Sequence, residues 1–291
     1  MRLRDRVTFP RFAAFTTGLT LTLVMLGVYT AATGSGLACS AQWPLCDNGL
    51  LPQTIPSFIE WFHRLVAMIT GWFIVGTAVW SWRRETDTRL AATLAVLLLP
   101  LQISIGAVTV TLNGLLPRGY SAPTQGAHLV VALTIFSLLV WTTLTAREES
   151  EGSAASGATS PLPRVRRTLL VALAALVGSA LASRVFTPTP YGPGGQAVFY
   201  GLSLVAVAAL LAATRWLATA EMSWLRLATG TVLGLLFVGM LLGRDLVFYT
   251  STVRLLNAAV FLIAGVLVAA VTVLVGRARP EDRAGPTVSS D

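Results

Sequence analysis

The chain contains two cysteines and two histidines, and their placement narrows the chemistry they could do. Cys39 and Cys46 stand in GSGLACSAQWPLC with six residues between them, and Glu60 and His63 follow in FIEWFHRLVA. A cysteine pair at this spacing can close a small ring, and beside a carboxylate and an imidazole it points to redox chemistry next to a metal or cofactor. A structural staple contributing about 2 to 3 kcal/mol is the other reading of the same spacing. His128 lies in PTQGAHLVVAL. Imidazole is a common ligand of haem iron, and two histidines on facing helices can hold the iron from both faces of a porphyrin. The alternative for each is an interfacial histidine wetted by headgroups. Glu60 precedes His63 by three residues, so in a helix the two share a face, and the carboxylate could move a proton or orient a ligand in the same cavity. Arg64 has two candidate anions, a haem propionate and a headgroup phosphate. Gln102, Gly106 and Thr109, in LQISIGAVTVTL, would permit close approach of a helix or a flat ligand.

The elements that must position these groups are membrane helices. With 54% apolar and 12% charged residues among 291, and a mean hydropathy of +0.71, the chain is too apolar for a water-soluble domain. Crossing about 30 Å of hydrocarbon takes roughly 20 helical residues. Eight segments qualify, at 11–32, 57–81, 90–112, 124–145, 168–185, 196–218, 224–243 and 253–275.

Arginine sets the expected orientation, since the chain has no lysine. Sixteen of the 21 basic residues fall in the N-terminal tail, after helices two, four and six, or in the C-terminal tail, which puts both termini in the cytoplasm by the positive-inside rule. Arg64, Arg118, Arg184, Arg244 and Arg254 sit in or beside the opposite connections. The cysteine loop then faces outward, where a disulfide persists. The net charge of +8 forms collars on helix ends rather than one basic face, which argues against nucleic-acid binding. The first apolar run is too long for a signal-peptide core and reads as a retained helix.

The chain divides near its middle. Residues 1–145 form an N-terminal four-helix unit with the cysteine loop, and 146–167, rich in Ser, Gly and Ala, reads as a flexible linker. Residues 168–276 form a second four-helix unit, and 277–291 a tail. A 4+4 arrangement commonly reflects an internal repeat with equivalent sites in each half.

In this order, GSGLACSAQWPLC, FIEWFHRLVA, QISIGAVTVTLNGLLP and AHLVVAL resemble the heme A synthases, membrane oxidoreductases that oxidise a methyl group of heme O to the formyl group of heme A for terminal oxidases. The resemblance covers about residues 10–145. It implies an all-α integral membrane fold of eight helices in two pseudosymmetric four-helix bundles, in the plasma membrane, with an extracytoplasmic disulfide between Cys39 and Cys46. Glu60 becomes the catalytic carboxylate, and His63 and His128 the axial ligands of a haem, whether heme O as substrate or a bound heme b or heme A. The partners it implies are heme O, heme O synthase and oxidase assembly factors, within a lipid bilayer, and an oligomer is compatible with it.

The second half departs from the family, whose members usually carry a further histidine pair there. No histidine follows His128, and in TSTVRLLNAAVF Val253 stands where one is expected, beside Arg254. Met222 and Met240 are soft-ligand candidates, but core packing or an interfacial position explains a methionine far more often, and the same holds for Tyr200 and Asn257. A second haem therefore lacks its expected ligands. Other functional classes are a haem b electron-transfer protein, a catalytically silent haem-binding relative, and a thiol oxidoreductase working from the outer loop.

Overall fold

The computed structural model describes residues 8–39, 42–84, 87–112, 121–152, 161–185, 191–243 and 249–278. Arg2, Arg4, Arg6, Arg118, Arg244, Arg279 and Arg283, which entered the orientation argument, lie outside them, as do residues 153–160 of the expected linker. The described residues form eight helices: α1 (Phe9–Ala32), α2 (Ile55–Arg84), α3 (Arg89–Leu112), α4 (Ala122–Gly152), α5 (Leu162–Leu181), α6 (Pro193–Thr219), α7 (Ser223–Leu242) and α8 (Ser251–Arg277). Each expected segment corresponds to one of them. Seven are long and apolar enough to cross a membrane. The exception is α5, which begins six residues before its expected start and so takes Arg164, Arg166 and Arg167 into its first turns.

Helix also extends into both ends of the stretch expected to be a linker. In α4 it continues past residue 145 to Gly152, and tertiary contacts explain why. Glu148 accepts hydrogen bonds from Arg215 Nε and Trp216 Nε1, each at 2.8 Å, while the Arg215 guanidinium lies 4.5 Å from the centre of the Trp141 ring. These contacts tie the end of α4 to α6 across 67 and 68 residues of sequence.

Neighbouring helices follow the same cyclic order in each half. α1 packs on α2, α2 on α3, α3 on α4 and α4 back on α1; α5, α6, α7 and α8 close a second ring in the same way. The rings meet where α6 contacts α1 and α4. In such a ring α2 and α4 are diagonal, so side chains from them can face each other across the interior.

The two interiors differ. The second ring and its junction with α1 and α4 share one large apolar core, in which Leu204, Val207, Leu210, Val232, Met240 and Val268 are fully buried. Near its loop end Phe199 meets Tyr200 and Phe261 edge-on, with ring centres 5.1 and 6.1 Å apart, and Tyr200 Oη donates to the Met240 carbonyl at 2.6 Å. Tyr200 and Met240 are therefore packed core residues. In the first ring the separate buried apolar cluster is smaller, Ile74, Ala95, Ile135 and Leu139 with five partly buried apolar residues packed on it. Close packing is the rule inside proteins, and a ring with so small a core of its own is one that a large flat ligand could complete.

Candidate haem site and the loop above it

The loop between α1 and α2 is folded down onto the start of α2. Cys39 and Cys46 are joined in a disulfide, as expected, and both are buried, at 2% and 0% exposure. A short two-residue reversal at Asp47 and Asn48, both with φ near +55°, returns the chain so that Cys46 and Gly49 exchange backbone hydrogen bonds at 3.0 Å. Thr54 then caps α2, its hydroxyl oxygen accepting from Ser57 N–H at 3.3 Å, and Pro56 occupies the first turn, where its missing N–H costs nothing.

One face of α2 grips this loop. Ser57 Oγ donates to Asp47 Oδ1 at 3.0 Å, Trp61 Nε1 to the Pro44 carbonyl at 3.1 Å, and Arg64 Nη1 to the Gln42 carbonyl at 2.7 Å. Glu60 is 2% exposed and sits at the centre of the face. Its Oε2 accepts from Cys39 N–H at 2.6 Å and its Oε1 pairs with the Arg64 guanidinium. The Ser57 carbonyl oxygen lies 3.4 and 3.8 Å from the two sulfurs; with the thiols joined there is no S–H to donate, so this is packing rather than hydrogen bonding.

Positions 57, 60, 61 and 64 fall on one stripe of a helix that turns about 100° per residue, and position 63 lies well to one side of it. The expectation that Glu60 and His63 work from a single face is revised accordingly. Glu60 is turned to the loop, while the His63 ring rests on α1, where a Cβ built at Gly27 would meet its Cε1 at 3.0 Å. His63 Nδ1 is buried and has no hydrogen-bond partner among the described residues.

His128, in the second turn of α4, has the corresponding relation to α3. A Cβ at Gly106 would meet its Cε1 at 3.2 Å, and Gln102, one turn away on the same face, is 3.1 Å from Nε2. Thr109 is buried and returns its hydroxyl to the Ile105 carbonyl at 2.9 Å. Sequence reasoning singled out Gln102 and Gly106 as lining residues and missed Gly27. The signal was there, since Gly27-Val-Tyr-Thr30 on α1 repeats as Gly106-Ala-Val-Thr109 on α3.

His63 and His128 thus come from diagonal helices, at the loop end of the first ring, within electrostatic range of each other. No group of three or more His, Cys, Asp or Glu side chains is gathered among the described residues. A protein-only metal centre needs such a group; a porphyrin supplies four nitrogens itself and asks the protein for one or two axial ligands. A buried imidazole nitrogen without a partner, a second histidine across the ring and a small apolar core fit that demand.

The buried disulfide also separates the two readings of the cysteines. A pair that exchanges electrons with another protein must be reachable, and this one is covered by its own loop. Cys39→Ser/Cys46→Ser is therefore expected to lower thermal stability by about 2 to 3 kcal/mol while leaving the redox spectrum of any bound haem unchanged. A shifted haem potential at unchanged stability would restore the electron-carrier reading.

Residues 53–183, which include Glu60, His63, Arg64 and His128, match the family COX15-CtaA, described as cytochrome oxidase assembly protein. The chain is similar to the heme A synthase of Bacillus licheniformis, 32% identical over 136 residues covering 44% of this chain and 43% of that one. It resembles the heme A synthase of Shouchella clausii at 34% over 140 residues, with 46% and 44% covered. A protoheme IX farnesyltransferase of Halobacterium salinarum is 38% identical over 121 residues, 40% of this chain but 26% of its own length. The matched part spans less than half the length of each of these relatives.

Proposed function

We propose, from the match of residues 53–183 to the COX15-CtaA family, that this membrane protein is a heme A synthase, which oxidises a methyl group of heme O to a formyl group in two successive two-electron steps by way of the alcohol. The observation that carries the reading is the His63 and His128 pair on diagonal helices above a small apolar core, with a His63 nitrogen buried and unbonded. Those two residues would hold the iron of heme O, the substrate. Bound there it would bring its own iron as the redox centre, and each two-electron oxidation would draw on an oxidant from outside the chain.

The chain's own residues do the rest. The loop closed by Cys39 and Cys46 covers the start of α2 and shields this end of the ring from water. Glu60 is the catalytic carboxylate of the reading, poised at the seam between loop and ring, where its two oxygens accept from the Cys39 N–H and the Arg64 guanidinium. Arg64 is already bonded to Glu60 and to the Gln42 carbonyl, so a propionate would share this guanidinium rather than own it.

The arginine distribution supports a cytoplasmic location for both termini and an outward-facing loop. The continuous core of the second ring, with Phe199, Tyr200 and Phe261 filling its loop end, supports a single haem per chain, held in the first ring. The similarity to a protoheme IX farnesyltransferase over a quarter of that protein supports a farnesylated haem as the substrate, and such a transferase as its supplier.

Expression of the full chain in a host that makes heme O, followed by chromatography of extracted haem, tests the proposal. Heme A or its alcohol precursor is expected. Haem-loaded protein that returns only heme O would favour a haem-binding or electron-transfer role.

A further inference from the structure

A ligand pair must be aimed as well as present, and for His128 the Gln102 contact at Nε2 is one part of that. A buried imidazole that serves iron needs its ring plane and depth fixed, and this is usually done by a hydrogen bond from the other ring nitrogen. Among the described residues neither nitrogen of the His63 ring makes such a bond. What the ring does have is a backbone wall: its Cε1 lies 3.0 Å from the place a Cβ would take at Gly27 of α1. The His128 ring presents the same Cε1 edge to Gly106 of α3 at 3.2 Å. At these distances a methyl group could be added only by pushing the ring aside, whereas at Gly18 of the same α1 a Cβ would meet nothing within 4 Å.

The arrangement repeats through the fold. In the second ring Gly178 of α5 faces Leu202 of α6 at 3.0 Å, and Gly239 of α7 faces Val260, Phe261 and Asn257 of α8 at 3.4, 3.6 and 3.7 Å. Each time, a glycine near the end of an odd-numbered helix receives a side chain from the early turns of the next. Where the first ring places imidazoles, the second places Leu202 and a group that includes Asn257, one turn beyond Val253. The glycine contact is thus a feature of the scaffold, and in the first ring it falls on the two histidines.

We propose that Gly27 and Gly106 are positioning residues for haem binding: with no Cβ, they let the His63 and His128 rings sit edge-on against α1 and α3, which fixes how far each imidazole reaches into the ring interior. The proposal rests on the haem reading above and adds two residues outside its ligand set. It also accounts for the repeated Gly-x-x-Thr on α1 and α3. The threonine returns its hydroxyl to the helix backbone, Thr30 to Leu26 and Thr109 to Ile105, and leaves the glycine as the contact.

The test uses the full detergent-solubilised chain titrated with protohaem IX and followed by Soret absorbance, ferric EPR and midpoint potential. Gly27→Ala and Gly106→Ala are each expected to weaken haem binding about tenfold or more, in the range seen when second-layer partners of metal ligands are removed. Part of the ferric EPR signal is expected to move from low-spin bis-imidazole to high-spin, and the potential to shift. Gly178→Ala, which pushes on Leu202 at the same 3.0 Å, controls for general damage, and Gly18→Ala controls for the substitution itself. Both should match the unsubstituted protein. Unchanged affinity and EPR in the first two variants overturns the proposal, and so does an equal loss in Gly178→Ala. An unsubstituted protein that takes up no haem overturns the haem reading itself, and the same titration shows it.

Discussion

His63→Ala, purified as the full chain from haem-replete cells, is expected to carry about a tenth or less of the haem bound by the unsubstituted protein, because the sequence holds no spare imidazole to replace it as an axial ligand. The chain has only two histidines, both cysteines are committed to the disulfide, and Met240 is sealed in the core of the other ring. His128→Ala should behave alike and also strip Gln102 of its contact with Nε2. Truncation to alanine leaves a hole beside Gly27 that exogenous imidazole can enter, so partial recovery of the low-spin spectrum on adding imidazole is the stronger form of the expectation. Full retention of a bis-imidazole spectrum in either variant would remove that histidine from the ligand set.

The second large effect is expected at Glu60, and two substitutions there separate chemistry from architecture. Glu60→Ala removes both the acceptor for Cys39 N–H and the counter-charge for Arg64. Breaking one side of a buried ion pair costs about 3 to 5 kcal/mol, and since Arg64 is 21% exposed a discounted loss of about 2 to 3 kcal/mol is expected here. The loop should then lift, and its disulfide become reducible by a soluble thiol. Glu60→Gln keeps an oxygen for Cys39 N–H and gives up the charge and the second oxygen that faces Arg64, whose Nη1 still holds the Gln42 carbonyl, so the loop should stay seated. If heme O oxidation nonetheless falls by about a hundredfold or more, the carboxylate acts in the reaction. Full activity in the Gln variant would leave Glu60 as a clamp for the loop.

Much of this was legible from residue types. The eight apolar runs predicted eight helices because span length is set by the bilayer, and the disulfide followed from there being only two cysteines on one short loop. What sequence could not supply were partners fixed by tertiary contact. Glu60 and His63 are three apart and so seemed to share a task, but the Cys39 N–H that takes the carboxylate lies 21 residues away and had no signature. The end of α4 was lost for the same reason. Glu148 holds a polar stretch in a helix only because Arg215 and Trp216 are waiting on α6. Gly27 is the opposite case, visible in the text of the sequence as half of a repeat, yet without meaning until the ring that lies on it was seen.

With Cys46 fully covered and Cys39 almost so, no oxidant can reach the thiols of the finished protein. The bond must therefore close while the loop is still open, before Glu60 and Arg64 draw it down. The disulfide is thus a record of the order of assembly. A chain in which the loop settles first would be trapped with its thiols unjoined, and the fraction of such molecules in a preparation would report how closely oxidation kept pace with membrane insertion.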